Sequence, residues 1–338
     1  IGRDDLLARA WLNRAFAEYE RERLQPAEEA LSRALELFGK RGDRQGEADG
    51  LEVLGRIIEG LRGKLSKAQI AYRKAFDLYR ALGDGQGMAR TMARLGRCVL
   101  TGGGLRDARQ ILVEALPLAR QHHERISETN SLMGLAVLAH LTGDAPEAIR
   151  LHQEAIAMMQ ELGDPAGLAG IRRHLGMHYL RQGRLDEAER EMQSARAVYR
   201  EHVQAEPVFI LRSLAEVYLA KGDLLTAADY AEQALAGVDA ADDISKATHE
   251  ATLGKVRAVQ GRGEEAEALF QRSLEILEGS EYRIDLAITL MKYGEALLLL
   301  DQPQRARPLL ERARTLFAEM EATQFVSEIG TRLEMVAT

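Results

Sequence analysis

Two histidines four residues apart are the first candidates for chemistry in this chain. His174 and His178 fall on one face of a helix, which is the spacing of paired zinc ligands. Leu175 follows His174 where the HExxH motif of zinc proteases has glutamate, and the sequence offers no third ligand beside them. We therefore interpret the two histidines as a groove-facing or partly exposed polar pair, and we predict no metal site.

The glycine-rich segment and the cysteine of this chain also show no signature of a functional site. Gly102-Gly103-Gly104 belongs to no GxGxxG or GxxxxGK[ST] pattern, so a turn explains it better than a phosphate loop. Cys98 is the single cysteine and lies among apolar residues, which is typical of a small buried side chain. It excludes an intrachain disulfide and favours a reducing, cytoplasmic location. The sequence thus predicts no cofactor and no enzymatic activity.

The elements that must position any site are paired amphipathic helices. Within residues 164–200, Asp164-Pro165 is a typical helix start, and Gly183 breaks the apolar pattern between two stripes of helical spacing. The stripes are Ile171, Leu175, Tyr179 and Leu180, then Leu185, Ala188, Met192, Ala195 and Tyr199. Two such helices joined by so short a turn must lie antiparallel.

The same pattern repeats along the chain. An alanine recurs every 39 to 41 residues, as Ala27, Ala68, Ala108, Ala148, Ala188, Ala227, Ala266 and Ala306, and a second small residue follows each by seven positions. A turn glycine precedes most of them by five positions, as Gly63, Gly103, Gly143, Gly183, Gly222 and Gly261, with Glu22 and Asp301 in the terminal repeats. Small side chains at these places allow close helix crossings.

These residues resemble the tetratricopeptide repeat, with Leu175-Gly176 in the first helix and Gly183, Ala188 and Ala195 in the second as its motif positions. The resemblance implies an all-α, right-handed α-solenoid of about eight helix-turn-helix repeats. The units are about 8–42, 47–83, 87–123, 127–163, 166–202, 206–242, 245–279 and 284–321, in one array over 1–322, and a capping helix follows at 323–338.

The links between units carry the extra length of this repeat over the common 34-residue form. Gly42-Asp43, Gly83-Asp84 and Gly163-Asp164 place a helix C-cap before the next N-cap, and Asp243 stands at the equivalent place. Such long repeats are similar to those of bacterial signal-transducing ATPase regulators and of spindle-orientation adaptors.

The resemblance also implies a binding surface, because first helices line the concave face of such arrays. Peptide-binding members use three first-helix positions, which in the first two units hold Arg9, Leu12, Phe16, Asp49, Glu52 and Arg56. Across the array, these and neighbouring positions give the predicted partner-binding residues: Arg56, Arg90, Arg94, Arg97, Asn130, Met133, Arg173, His174, Met177, Phe209 and Arg212.

Two interpretations of the groove arginines stay open. Arginine forks suit carboxylates and phosphates, which favours an acidic partner. The paired Lys and Asn residues of the family's carboxylate clamp are absent, however, and the arginines could instead pair with Asp49, Glu52 and Glu216.

The leading functional prediction is a non-enzymatic scaffold or sensor that captures a protein or peptide segment in the concave groove, within a larger bacterial regulatory protein. One alternative is a receptor for a signalling peptide or small molecule that changes the superhelix pitch. Another is self-assembly through the terminal units, where Phe325, Ile329, Leu333 and Val336 form an apolar stripe. The oligomeric state stays open.

Charge and hydropathy limit the classes of partner that the chain can have. A net charge of −7 argues against nucleic acid. The longest apolar run, residues 296–300, is too short to span a bilayer, and no signal peptide is evident. Because the chain begins at Ile1 instead of methionine, we expect further domains before it.

Overall fold

The computed structural model describes residues 3–21, 23–60, 64–203, 206–239 and 242–336, and these residues form helices and turns without a strand. They fall into two compact units, the N-terminal unit Ile1–Gly134 and the C-terminal unit Leu135–Thr338. The expectations for Glu22 and Gly63 lie outside the described residues.

The N-terminal unit contains three helix pairs and the start of a seventh helix. Its helices are α1 (Arg3–Glu20), α2 (Leu24–Arg41), α3 (Arg44–Gly60), α4 (Leu65–Leu82), α5 (Gly85–Thr101), α6 (Leu105–Gln121) and the first half of α7 (Arg125–Thr142). Within each pair the two helices pack along their length, and the first helices α1, α3 and α5 also contact one another in order.

The C-terminal unit continues the same arrangement. After the end of α7 it contains α8 (Ala145–Leu162), α9 (Pro165–Arg181), α10 (Leu185–Val203), α11 (Val208–Lys221), α12 (Leu224–Ala236), α13 (Asp243–Val259), α14 (Gly263–Glu278), α15 (Arg283–Leu299), α16 (Pro303–Glu319) and α17 (Thr323–Val336). The first helices α9, α11, α13 and α15 contact one another in order. The predicted all-α solenoid of helix pairs is confirmed.

The links between pairs have the predicted caps. Gly83 adopts a left-handed φ of 70° at the end of α4, and the Asp84 carboxylate then accepts a hydrogen bond from the Gly87 N–H at 2.9 Å. The link before α13 differs, because Asp242 is the cap and accepts from the Ser245 N–H at 2.9 Å. Asp243 is already helical there, so its prediction as the cap was wrong by one residue.

In the link after α6, a histidine adopts the left-handed backbone conformation that glycine adopts in the link after α4. His123 has a φ of 57°, and its N–H donates to the Arg120 carbonyl at 3.3 Å, as Gly83 does at 3.2 Å to Arg80. A left-handed backbone costs a residue with a Cβ about 1–2 kcal/mol, whereas glycine adds some entropy to the unfolded chain.

We therefore expect His123→Gly to raise the free energy of unfolding by about 0.5–1 kcal/mol. Urea denaturation of the chain and the variant measures it. Gln110→Gly, at an exposed position in the middle of α6, serves as the control and should lower stability by about 1 kcal/mol. A loss of stability in both variants would contradict the backbone argument.

Helix crossings are closed by the recurring small residues. Ala195 is fully buried in the core of the C-terminal unit, together with Ala188 and Met192.

We expect Ala195→Leu to overpack this crossing and to lower the free energy of unfolding by about 1–3 kcal/mol. Ala197→Leu on the exposed face of the same helix is the matched control. Equal unfolding curves for the two variants would contradict the assigned register.

Candidate partner-binding surfaces

A pocket of about 420 Å³ opens on the first helices of the N-terminal unit. Its lining comprises Arg9, Leu12, Asn13, Phe16, Asp49, Glu52, Val53, Arg56 and Arg90. Seven of these nine residues stand at first-helix positions carried over from the repeat family. The pocket mixes both charges with apolar surface, and the Phe16 side chain remains 38% exposed in it.

Carboxylates neutralise part of this pocket. Arg90 lies 3.3 Å from a Glu52 oxygen and 3.5 Å from Glu124, and the Arg94 guanidinium lies 3.7 Å from Glu52. Burial opposes the charge of Arg90, but Glu52, Tyr79 and Glu124 together outweigh burial and raise the pKa of Arg90. Tyr79 donates its hydroxyl to Asp49 at 2.7 Å. At Arg90 and Arg94 the structure thus has the ion pairs of the second interpretation.

The remaining predicted residues of this unit have different neighbours. Arg56 stacks on the rings of Phe16 and Tyr19, with its Cζ 4.4 and 5.0 Å from the ring centres. Arg97 donates to the side-chain oxygen of Asn130 at 2.8 Å. Met133 is half-buried on α7. Arg97, Asn130 and Met133 lie outside the pocket lining.

In the C-terminal unit the predicted residues lie together on α9 and α11. An Arg173 Nη lies 2.8 Å from His174 Nε2, and its Cζ lies 5.8 Å from the Phe209 ring centre. Met177 and Phe209 pack against one apolar core. Arg212 lies 3.6 Å from Glu216, which Lys292 also contacts at 2.6 Å.

These residues belong to a larger set that we call the inner charge network. Its basic members are Arg173, Arg181, Arg212, Lys255, Lys292 and Arg332. Its acidic members are Glu216, Asp285, Glu295 and Glu328. Water reaches the network, because the side chains of Arg181, Arg212 and Lys255 are 21%, 23% and 29% exposed.

The network depends on residues that sequence reasoning missed. Lys292 is only 7% exposed and also donates to Thr252 at 3.0 Å. Burial alone would raise the pKa of Glu216, but the charges of Lys292 and Arg212 outweigh it and hold the pKa at about 2. A single lysine in the otherwise uncharged stretch of residues 286–294 is the signal that could have identified Lys292.

The last helix also reaches an unexpected place. Within the C-terminal unit, Thr323 donates to the Thr142 carbonyl at 3.0 Å, and the Arg181 guanidinium lies 4.1 Å above the Phe325 ring. Helix α17 therefore packs on α16 and also touches α7 and α9. Ile329 of its apolar stripe is fully buried and Leu333 is 8% exposed, so these residues offer no free face for self-assembly. The Val336 side chain lies outside the described residues.

Three histidines lie together near this contact, of which His152 and His178 are buried and His140 is half-buried. His178 Nε2 is 2.9 Å from His152 Nε2, and the His140 ring meets the His178 ring edge-on at 4.1 Å. His178 is 3% exposed, so its prediction as groove-facing or partly exposed was wrong, because α8 and α7 cover that face. Burial, helped by the charge of Arg181, lowers the pKa of His178 to about 4.

Among the described residues, no three His, Cys, Asp or Glu side chains are grouped to hold a metal ion. None of the described helices is both long and apolar enough to cross a membrane.

Helix pairs closed by small residues, with first helices aligned beside one another, define a tetratricopeptide-type α-solenoid. The sequence matches the model of the MalT-like TPR region over residues 127–331 and that of the tetratricopeptide repeat over 6–81. Since the first match covers more than half of the chain, the chain belongs to the MalT-like TPR region family. No curated relative matches it by sequence.

Solved structures share the fold at low identity. A Rap protein in complex with Competence and Sporulation Factor matches with a TM-score of 0.66 at 12% identity, over 98% of each chain. Aspartyl phosphate phosphatase F from Bacillus subtilis matches with a TM-score of 0.61 at 12% identity, over 82% of this chain and 74% of its own.

A signal transduction ATPase with a tetratricopeptide repeat sensor, from Pyrococcus horikoshii, matches with a TM-score of 0.57 at 15% identity. The match covers 98% of this chain and 50% of the ATPase, so the chain spans half the length of that protein.

Proposed function

We propose that this chain is a non-enzymatic scaffold or sensor whose first-helix surfaces bind a protein or peptide segment. The observation that carries the proposal is the pocket on α1, α3 and α5, which gathers seven carried-over contact positions from helices far apart in sequence. Its volume of about 420 Å³ suits a few side chains of an extended segment.

The chemistry of the pocket favours a segment with an apolar anchor and acidic flanks. Phe16 presents an exposed ring with the Arg56 guanidinium against it. The Arg9 side chain is 50% exposed, and its contacts with Asp5 and Asp43 are long, at 3.6 and 3.9 Å. Such exposed pairs contribute little stability, so a partner carboxylate competes for Arg9 at low cost.

A role within a larger regulatory protein agrees with the relatives. The ATPase of Pyrococcus horikoshii carries its tetratricopeptide repeats as a sensor, and the Rap protein was crystallised with Competence and Sporulation Factor. We infer that this chain is likewise the part that recognises a partner. The proposal includes a cytoplasmic location and leaves the oligomeric state open.

Photocrosslinking tests the proposal. Phe16 is replaced by the photoreactive p-benzoylphenylalanine, and the chain is irradiated in lysate of the source cells. The control places the same group at Ile70, which is 54% exposed on the second helix α4. We expect a distinct crosslinked protein from position 16 alone, lost in the double variant Arg9→Glu, Arg56→Glu.

Charge reversal itself is controlled by Arg73→Glu with Lys74→Glu, two exposed residues of α4. This variant should keep the crosslink at position 16. The proposal would be contradicted by crosslinks from position 70 alone, or by a crosslink at position 16 that persists after charge reversal of Arg9 and Arg56. Either result would place the binding surface outside the pocket.

A further inference from the structure

Within the described part of the chain, two arginines on contacting first helices of the C-terminal unit lack hydrogen-bond acceptors for their Nε groups. Arg173 on α9 and Arg212 on α11 occupy equivalent positions 39 residues apart. Among the described residues, the buried Nε of each has no hydrogen-bond partner, and no carboxylate forms an ion pair with Arg173. Burial, and then the charge of Arg212, lower the pKa of Arg173 to about 10. The two guanidinium groups therefore repel each other in the structure as it stands.

The surroundings do not neutralise these charges. Glu216 is shared between Arg212 and Lys292, and Glu295 is shared between Lys255 and Arg332. Among the described residues, Arg173, Arg212 and Lys292 have one carboxylate, Glu216, within ion-pair distance, so two positive charges remain unbalanced. A partly buried surplus of this size is costly unless an anion enters.

The charge and geometry of the two arginines select an anion of definite chemistry. A phosphate monoester carries nearly two negative charges near neutral pH, which balances the surplus, whereas one carboxylate balances half of it. Its three terminal oxygens accept hydrogen bonds from more than one guanidinium, and arginine forks match that geometry. The Phe209 ring, 5.8 Å from the Arg173 Cζ, adds an apolar wall beside the charges.

We propose that Arg173 and Arg212 form a binding site for a phosphate group in the C-terminal unit, with Phe209 beside it for the apolar part of a phosphorylated ligand. This site rests on the proposed function, since it assigns a ligand group to the first-helix surface of this unit. Lys292 keeps Glu216 engaged and so prevents that carboxylate from neutralising both arginines.

Calorimetric titration of the full chain tests the site, at constant ionic strength and about pH 8, where phosphate groups are dianionic. The probes are inorganic phosphate, phenyl phosphate and acetate. We expect saturable binding of at least one phosphate compound, and weaker binding of acetate. Tighter binding of phenyl phosphate assigns the site to a phosphate ester with an apolar body, and tighter binding of inorganic phosphate assigns it to the free ion.

Variants locate the binding. Arg173→Gln and Arg212→Gln should each raise the Kd for phosphate at least about tenfold, because each variant loses a charged hydrogen-bonding partner. Arg173→Lys keeps the positive charge but loses the forked guanidinium. Its Kd for phosphate should lie between those of the parent chain and Arg173→Gln. Arg307→Gln, exposed on α16, is the control and should bind as the parent chain does.

A second measurement separates binding from structure. Because Arg173 is repelled without a ligand, the melting temperature of unliganded Arg173→Gln should equal or exceed that of the parent chain. Unchanged phosphate affinity in Arg173→Gln, equal binding of acetate, or no saturable binding of either phosphate compound overturns the proposal. The Phe16 crosslink uses none of these residues, so failure of the phosphate site leaves that test of partner binding intact.

Discussion

Glu216→Gln is expected to lower the free energy of unfolding by about 3–5 kcal/mol, since removing one member of a buried ion pair leaves the other uncompensated. Lys292 is 7% exposed, and its ammonium lies 2.6 Å from the Glu216 carboxylate. Arg212 lies 3.6 Å from the same oxygen. The variant would strand both charges in a network that already carries a positive surplus. Urea denaturation at neutral pH measures the effect.

Two further variants make this result specific. Glu311→Gln removes an exposed carboxylate that pairs with Arg307 on α16, and it should cost less than about 1 kcal/mol. Adding Lys292→Met to Glu216→Gln removes the stranded ammonium and should restore part of the lost stability. If Glu216→Gln costs no more than Glu311→Gln, the inner charge network does not stabilise the C-terminal unit.

Stability is also expected to fall steeply as the pH is lowered from about 7 to 5. Burial lowers the pKa of His178 and of His249 from 6.5 to about 4, and that of His140 to about 2. The unfolded chain therefore takes up protons near pH 6.5 while these folded side chains stay neutral. Each contributes a slope of about 1.4 kcal/mol per pH unit below pH 6.5.

The sign follows from the lowered values, since the stability is present above pH 6.5 and is lost as the pH falls toward 4. The free energy of unfolding from urea curves at several pH values measures the slope. We expect His178→Met to reduce the slope by about 1.4 kcal/mol per pH unit, and His202→Gln, exposed at the end of α10, to leave it unchanged. A stability that is constant between pH 7 and 5 would contradict the burial of neutral histidines.

The positions of the arginines on the first helices were partly predictable. First-helix periodicity placed Arg56 and Arg90 in the N-terminal unit and Arg173 and Arg212 in the C-terminal unit on surfaces where the structure groups them. Their partners were not predictable. Arg90 meets Glu52, 38 residues earlier, whereas Arg173 contacts His174 and the Phe209 ring and has no carboxylate in ion-pair distance among the described residues. The repeat aligns equivalent positions, but the identity of the neighbouring residue decides whether the arginine is neutralised.

By itself, the sequence determined the helix pairs, their turns and most of their caps. The Asp84 cap and the left-handed Gly183, with a φ of 71°, follow from interactions between residues a few positions apart, which the local sequence encodes. The burial of Ala195 follows from the helical spacing of apolar and small residues along one face of α10, the face that packs on the neighbouring helix.

Only the tertiary structure decided which distant helices meet. Thr323 reaches Thr142 across 181 residues, and Lys292 reaches Glu216 across 76. These contacts depend on the small rotation at every link between repeats, summed over several repeats, and no local pattern specifies that sum. The buried histidines and the inner charge network depend on the same sum, which is why sequence reasoning placed His178 toward the groove and missed Lys292.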